Sequence, residues 1–254
     1  FTDVSLQFKV FPRFPTLNLV PILPDSAAFS SACPSGASRG RTCRFGILIS
    51  GRGSNVQALV EACRRESWPA EIAAVISSRP GAAGLDWARA QGIAACGLDH
   101  KDYPSREDFD AALAAEIERH RPDYVLLAGF MRVLTAGFVA RYAGRLVNIH
   151  PSLLPVFPGL HTHAQALATG VRVHGCTVHF VTPVLDHGPI IAQGCVPVLA
   201  GDTPEALAER VLRVEHMAYP AAARWLAEGR IMLTADHRVE VAGDPQRLFM
   251  LEPS

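Results

Sequence analysis

From Arg44 onward, short apolar runs alternate with amphipathic stretches, and that alternation constrains the fold more than any other feature of the chain. FGILIS leads through a glycine-rich turn into the helical stretch NVQALVEACRR. EIAAVISS, GLDWARAQG and the short IAACGL then repeat the order strand, helix, strand. Ser105 opens a further helix with an S-x-x-D cap, and Phe109, Leu113 and Ile117 recur every four residues on one face. YVLLAG and RLVNI are nearly continuous apolar runs, and HGCTVHFV and PIIAQGCVPV follow with a turn between them. Thr203-Pro204 starts a last long helix with Leu207, Val211, Val214 and Ala218 on its inner side. Strands apolar on both faces need cover on both faces. The expected fold class is therefore α/β, with a doubly wound, mainly parallel sheet.

The alternation sets the expected boundaries: an extension over 1–43, an α/β domain over 44–232 and a tail over 233–254. Residues 1–43 are rich in Pro and Ser, carry only Asp3 and Asp25 as acids, and end in SGASRGRTCR. They read as a disordered or loosely attached extension, with a faint likeness to a transit peptide or to non-native coding sequence. The tail has no pattern that selects a structure. At 254 residues the chain is long enough for one sizeable core. Its formal net charge of zero excludes a polyanion partner held by bulk charge, so no nucleic acid is expected. The apolar stretch Val10–Phe29 is cut by Pro12, Pro15, Pro21 and Pro24, so no membrane span of about 20 residues is expected either. The cysteines are scattered without a CxxC pair, which suits a reducing, cytoplasmic setting.

Three groups of residues carry candidate chemistry. In SGRGSN, residues Gly51, Gly53, Ser54 and Asn55 lead from a strand into a helix, where free N–H groups and the helix dipole favour an anion. Val56 stands where a dinucleotide fingerprint needs its third glycine, and no GK[ST] follows, so a single phosphate monoester fits best. A tight turn with an Asn/Ser cap is the structural alternative. The second group is VNIHP. Residues two apart on a strand share a face, so Asn148 and His150 project together at a carboxyl end, where ligands of open α/β sheets bind. Pro151 ends that strand. An amide donor beside an imidazole suits holding an oxyanion and moving a proton, although such a pair also occurs as satisfied structural groups. Asp186, in LDHGP, is a candidate third partner, because a nearby carboxylate favours a charged imidazole. The third group is the run of histidines at 150, 161, 163, 174, 179 and 187. Its spacings are neither HExxH nor HxxxH, no cysteine or acid completes a framework, and no metal is implied. His161 and His163 flank a helix start, where capping or substrate contact are both open.

SGRGSN, AGFMRVL, NIHPSLLPVFPGLHTHAQAL, HGCTVHFV and LDHGPIIAQ, in this order, resemble the phosphoribosylglycinamide formyltransferases, folate-dependent enzymes of purine synthesis. The resemblance runs from about Arg44 to Ile231. It implies a Rossmann-like formyltransferase fold and transfer of the formyl group of 10-formyltetrahydrofolate to the amine of 5-phosphoribosylglycinamide. By resemblance, Asn148 and protonated His150 stabilise the oxyanion, His150 delivers a proton to the departing folate nitrogen, and Asp186 keeps His150 charged. Gly53, Ser54 and Asn55 match phosphate-binding positions. Arg106, Met131, Arg132, Val133, Leu134 and Asn148 match folate-contacting positions, with Thr182–Asp186 as another wall. Glu215 matches a contact to the ribonucleotide. The formyl folate enters as a cosubstrate, and neither metal nor ATP is implied because the group arrives activated. The implied partners are these small molecules, and both a monomer and a homodimer are open.

Seen alone, Met131 and Leu134 also read as core residues, Arg106 as a solvated helix-start charge and Glu215 as a helix-surface acid. His187 stands where a glycine is often found, and Leu212 where a polar residue often helps the substrate. Methionyl-tRNA formyltransferase and formyltetrahydrofolate hydrolase share NIHxS…LP and the later acid. PGLHTH and the phosphate loop favour the glycinamide enzymes, with the hydrolase and a non-catalytic phospho-ligand binding protein as the alternatives.

Overall fold

The computed structural model describes residues 41–243 and 245–251. The expected extension, residues 1–43, lies outside these except for its last three residues, and β1 (Cys43–Ile49) already begins at Cys43. The elements that follow are α1 (Ser54–Arg65), β2 (Ala70–Ser77), α2 (Ala83–Ala90), β3 (Ala95–Gly97) and a 3₁₀ turn (His100–Asp102). Next come α3 (Arg106–Arg119), β4 (Tyr124–Leu127), α4 (Ala136–Arg141), β5 (Leu146–His150) and α5 (Thr162–Thr169). The chain continues through β6 (Val173–Phe180), β7 (Ile190–Pro197), α6 (Pro204–Ala227), β8 (Ile231–Leu233), β9 (Val239–Val241) and β10 (Leu248–Met250).

The main sheet has the order β10-β7-β6-β5-β4-β1-β2-β3. Its pairs are parallel except β5–β6 and β6–β7, where the reversed strand β6 makes antiparallel ladders. The alternation along each strand feeds two cores. Phe45, Ile47 and Ile49 of β1 pack with Val56, Leu59 and Val60 of α1 and with Val211, Val214 and Ala218 of α6. Leu48, from the same strand, faces Phe109, Leu113 and Ile117 of α3 and Phe138 of α4. This is the double winding that apolar parallel strands require, and each large side chain buried this way contributes about 1.5–3 kcal/mol.

The helix starts follow the local sequence. Ser105 accepts from the Asp108 N–H, Thr203 accepts from the Ala206 N–H, and Pro204 sits in the first turn of α6, where no helix donor is lost. Inside the molecule, the Tyr219 hydroxyl of α6 contacts Leu127 O at 3.0 Å and Val147 O at 3.3 Å, tying the helix to β4 and β5. Of the expected tail, 233–254, the described residues up to 251 join the fold. β8 and β9 form a hairpin, and β10 extends the main sheet beside β7. Each of these strands is three residues long, too short for alternation to be read in sequence. Among the described residues no helix is long and apolar enough to cross a membrane.

Candidate functional site

Strand order reverses between β1 and β4, the place where open α/β sheets hold ligands at their carboxyl ends. The loops that leave β1, β4 and β5 stand side by side there. Ser50 N–H donates to Gly129 O at 3.2 Å, and the Ser50 hydroxyl accepts from the Met131 N–H at 3.0 Å, so the first two loops are tied together.

The loop after β1 carries Gly53 at φ 77°, a left-handed conformation that glycine adopts without penalty. A side chain there would also meet Gly84 Cα at 3.0 Å, because α2 packs backbone to backbone against the loop. The first bond of α1 runs from Gln57 N–H to Gly53 O at 3.0 Å, so the N–H groups of Ser54, Asn55 and Val56 precede the helix ladder. α1 has no acid in its first turn to compete with an incoming anion. The side chain of Asn55 is engaged elsewhere. Its Nδ2 donates to Glu215 Oε2 at 2.7 Å, while its buried Oδ1 has no hydrogen-bond partner. What Asn55 offers an anion is therefore its backbone N–H. Glu215 is 8% exposed, so it is not the helix-surface acid that its position in α6 also allowed. Burial pushes its carboxyl up to about 7, partly offset by the Asn55 hydrogen bond.

Asn148 and His150 share a face at the end of β5, and Asp186 reaches His150 and His179. Its Oδ2 lies 3.5 Å from His150 Nδ1, and its Oδ1 lies 3.9 Å from His179 Nε2. Asp186 comes from the 181–189 connection, which folds back over the sheet. There Asp186 adopts φ 51°, and its Oδ2 accepts from the Gly159 N–H at 2.8 Å. His150 Nε2 faces Phe157 O at 3.0 Å, so both ring nitrogens look at oxygen acceptors. The turn that brings Phe157 there is held by Thr177, whose hydroxyl donates to Ser152 O at 2.7 Å and accepts from the Leu154 N–H at 3.0 Å.

Sequence reasoning named His179 only as one of the clustered histidines and missed what it touches. It pairs with Asn148 across β5 and β6 and is 2% exposed. Its Nδ1 meets Phe180 O at 2.9 Å, and a carbonyl can only accept, so Nδ1 carries the proton. Burial pushes its pKa down to about 4, leaving the ring neutral with Nε2 as an acceptor. The group at 3.3 Å must then be the Asn148 NH₂, which fixes the amide's orientation and leaves its second N–H free. The available signal was Thr177 and His179, two polar residues two apart in a strand that follows VNIH.

The positions expected around folate also come together. Arg106 Nη2 donates to Val133 O at 2.5 Å, and the Arg132 guanidinium sits 4.9 Å from the centre of the Phe109 ring. Met131 is 61% exposed and Val133 60%, so Met131 is an uncovered apolar side chain and not a core residue. Leu134 is half-buried against the α3–α4 core. His187 is exposed and stands apart from the Asp186 contacts, and Leu212 is half-buried on α6. His161 precedes α5 without making a side-chain cap. His163 Nδ1 and His174 Nε2 pair at 3.2 Å, and burial is the main cause that lowers both, His174 to about 4. Among the described residues no group of three or more His, Cys, Asp or Glu side chains is placed to hold a metal ion.

The family described as formyl transferase matches residues 43–223 of the chain. The phosphoribosylglycinamide formyltransferase of Escherichia coli (strain K12) is 49% identical over 202 residues, which cover 80% of this chain and 94% of that protein. The human trifunctional purine biosynthetic protein adenosine-3 is 47% identical over 77% of this chain, which corresponds to 19% of the larger protein. Among solved structures, glycinamide ribonucleotide transformylase 1 from Symbiobacterium toebii superposes with a TM-score of 0.77 at 49% identity, covering 80% of this chain and 95% of that one.

Proposed function

The chain belongs to the formyl transferase family, and on that basis we propose that it transfers the formyl group of 10-formyltetrahydrofolate to the amine of 5-phosphoribosylglycinamide. The observation that carries the reading is the approach of Asp186 to His150 beside an Asn148 amide whose free N–H is held in place by neutral His179. The attacking amine converts the formyl carbon to a tetrahedral centre, and negative charge develops on its oxygen. Asn148 donates to that oxygen through its second N–H. His150, with Asp186 at Nδ1, donates at Nε2, where the formyl oxygen takes the place of the Phe157 carbonyl. As the bond from the formyl carbon to folate breaks, His150 supplies the proton that the departing nitrogen needs, and it takes up the one that the attacking amine loses.

The ribonucleotide phosphate is held by the N–H groups of Ser54 and Asn55 after the left-handed Gly53. Its ribose hydroxyls suit the buried corner nearby, where Glu215 accepts and the unpartnered Asn55 Oδ1 lacks a donor. The exposed Met131 and Val133 offer an apolar surface to the flat folate ring, and Arg106 sits at its edge with a charge for the folate carboxylates. A role in purine synthesis goes with this reading, as the name of the human relative indicates, and with it a cytoplasmic placement.

The test is acceptor dependence. Mixed with 10-formyl-dideazafolate, the protein is expected to release deformylated folate only when phosphoribosylglycinamide is present. Release at the same rate without the ribonucleotide would move the assignment to formyl-folate hydrolysis. Binding of both ligands without turnover would make the protein a non-catalytic member of the family.

A further inference from the structure

The β6–β7 ladder contains a one-residue irregularity beside the site. Thr177 pairs with Gln193 and Val178 with Ala192, but His179 pairs with Ile190, so Ile191 is an extra residue in β7. Such a bulge leaves backbone groups without ladder partners. Here they are met from the far end of the chain. The Arg247 guanidinium donates from Nε to Ile191 O at 2.7 Å, from Nη2 to Ile190 O at 2.8 Å and from Nη1 to Val239 O at 2.8 Å. Its own carbonyl accepts from the Gln193 N–H at 2.9 Å, the step that starts the β10 pairing with β7. One planar cation thus caps both bulge carbonyls and anchors the β8–β9 hairpin, a task for which the rigid five-donor fork is suited and an ammonium is not.

The bulge decides the length of the 181–189 connection. That connection leaves β6 after His179 and Phe180 and is closed by Phe180 N–H on Pro189 O at 3.0 Å. Drawing Ile191 into the ladder would pull the connection by one residue, about 3.3 Å along the strand. A shift of that size cannot be absorbed by a 3.5 Å approach of Asp186 to His150, or by the placement of His179 under Asn148.

We infer that Arg247 is a positioning residue for the formyl-transfer site, holding the β7 bulge so that the connection after His179 delivers Asp186 to His150. Arg247 lies outside residues 43–223, the part matched by the family, so its role is invisible to that comparison. The catalytic consequence rests on the formyl-transfer reading, whereas the clamp itself does not.

The experiment compares Arg247→Ala and Arg247→Lys with the unmodified protein, alone and combined with Asp186→Asn. In folded Arg247→Ala, kcat is expected to fall about tenfold or more while KM for the ribonucleotide stays within about twofold. Arg247→Lys, which keeps the stem and charge but loses the fork, should show most of that loss, and it carries the comparison if the alanine variant does not fold. In the Asp186→Asn background the Arg247 substitution should cost little more, because both act through one contact. A folded variant with unchanged kcat, or losses that simply multiply, overturns the inference. Imidazole ¹⁵N spectra separate this outcome from failure of the functional reading. The His150 and His179 signals should move in Arg247→Ala even if the unmodified protein transfers no formyl group, and signals that stay in place contradict the clamp.

Discussion

At the scale of single residues, two similar imidazoles stand in different surroundings. His179 is sealed between strands with a carbonyl on one nitrogen and stays neutral, pushed down to about 4, whereas His150 has an acceptor at each nitrogen and a carboxylate beside one of them. Asp186→Asn keeps an oxygen for the Gly159 N–H but removes the charge. It is expected to lower kcat by about a hundredfold with small changes in either KM, a scale typical of losing an acid's support. Steady-state kinetics showing activity within a few fold of the unmodified protein would remove Asp186 from the mechanism. Glu215 makes a pH prediction. Its carboxyl is held near 7 by burial, above the ordinary value of 4.5. Below 4.5 it is protonated in folded and unfolded chains alike. Between 4.5 and about 7 it ionises only on unfolding, so stability falls with rising pH, and above about 7 the loss is complete. Glu215→Gln keeps an acceptor for Asn55 and abolishes that loss. The variant's advantage in urea unfolding should grow from near zero at acid pH to as much as roughly 3 kcal/mol above neutrality. A pH-independent difference would contradict the assignment.

At the scale of elements, most of the architecture was legible because the longer strands stand out as apolar runs and the helices carry their own period. Phe109, Leu113 and Ile117 line the buried face of α3, and Leu207, Val211, Val214 and Ala218 that of α6, as their spacing implies. Asn148 and His150 were placed together by strand geometry alone. What could not be read depends on contacts between distant segments. The pairing of His179 with Asn148 and the bulge at Ile191 are set by register, and the side-chain bond from Asn55 to Glu215 by the packing of α1 on α6. Sequence spacing does not encode register until the strands are paired. The three-residue strands β8, β9 and β10 lie below the length at which any period is visible. α6 shows how one helix serves both packing and site, since Tyr219 ties it to two strand carbonyls just behind the ligand-binding edge. Tyr219→Phe removes a fully buried donor from two acceptors and should cost about 1–3 kcal/mol in urea unfolding. A loss below about 0.5 kcal/mol would show that these carbonyls find other partners.

At the scale of the whole molecule, two substrates meet, on the proposed reading, across one switch in strand order. The β1 loop presents free N–H groups at the start of α1, the β4 loop offers an apolar surface with cationic side chains, and the end of β5 lies next along the sheet with Asn148 and His150. Ser50 joins the first two loops, and the C-terminal strand closes the far edge of the sheet through Arg247. On that reading the site draws on nearly the full span of the described chain, from Gly53 to Arg247. The most direct measurement follows the formyl carbon itself. With 10-formyl folate labelled with ¹³C in the formyl group and phosphoribosylglycinamide in slight excess, the label is expected on the glycinamide nitrogen, with tetrahydrofolate formed in equal amount. Label recovered as free formate, with the ribonucleotide unchanged, would contradict formyl transfer to that amine.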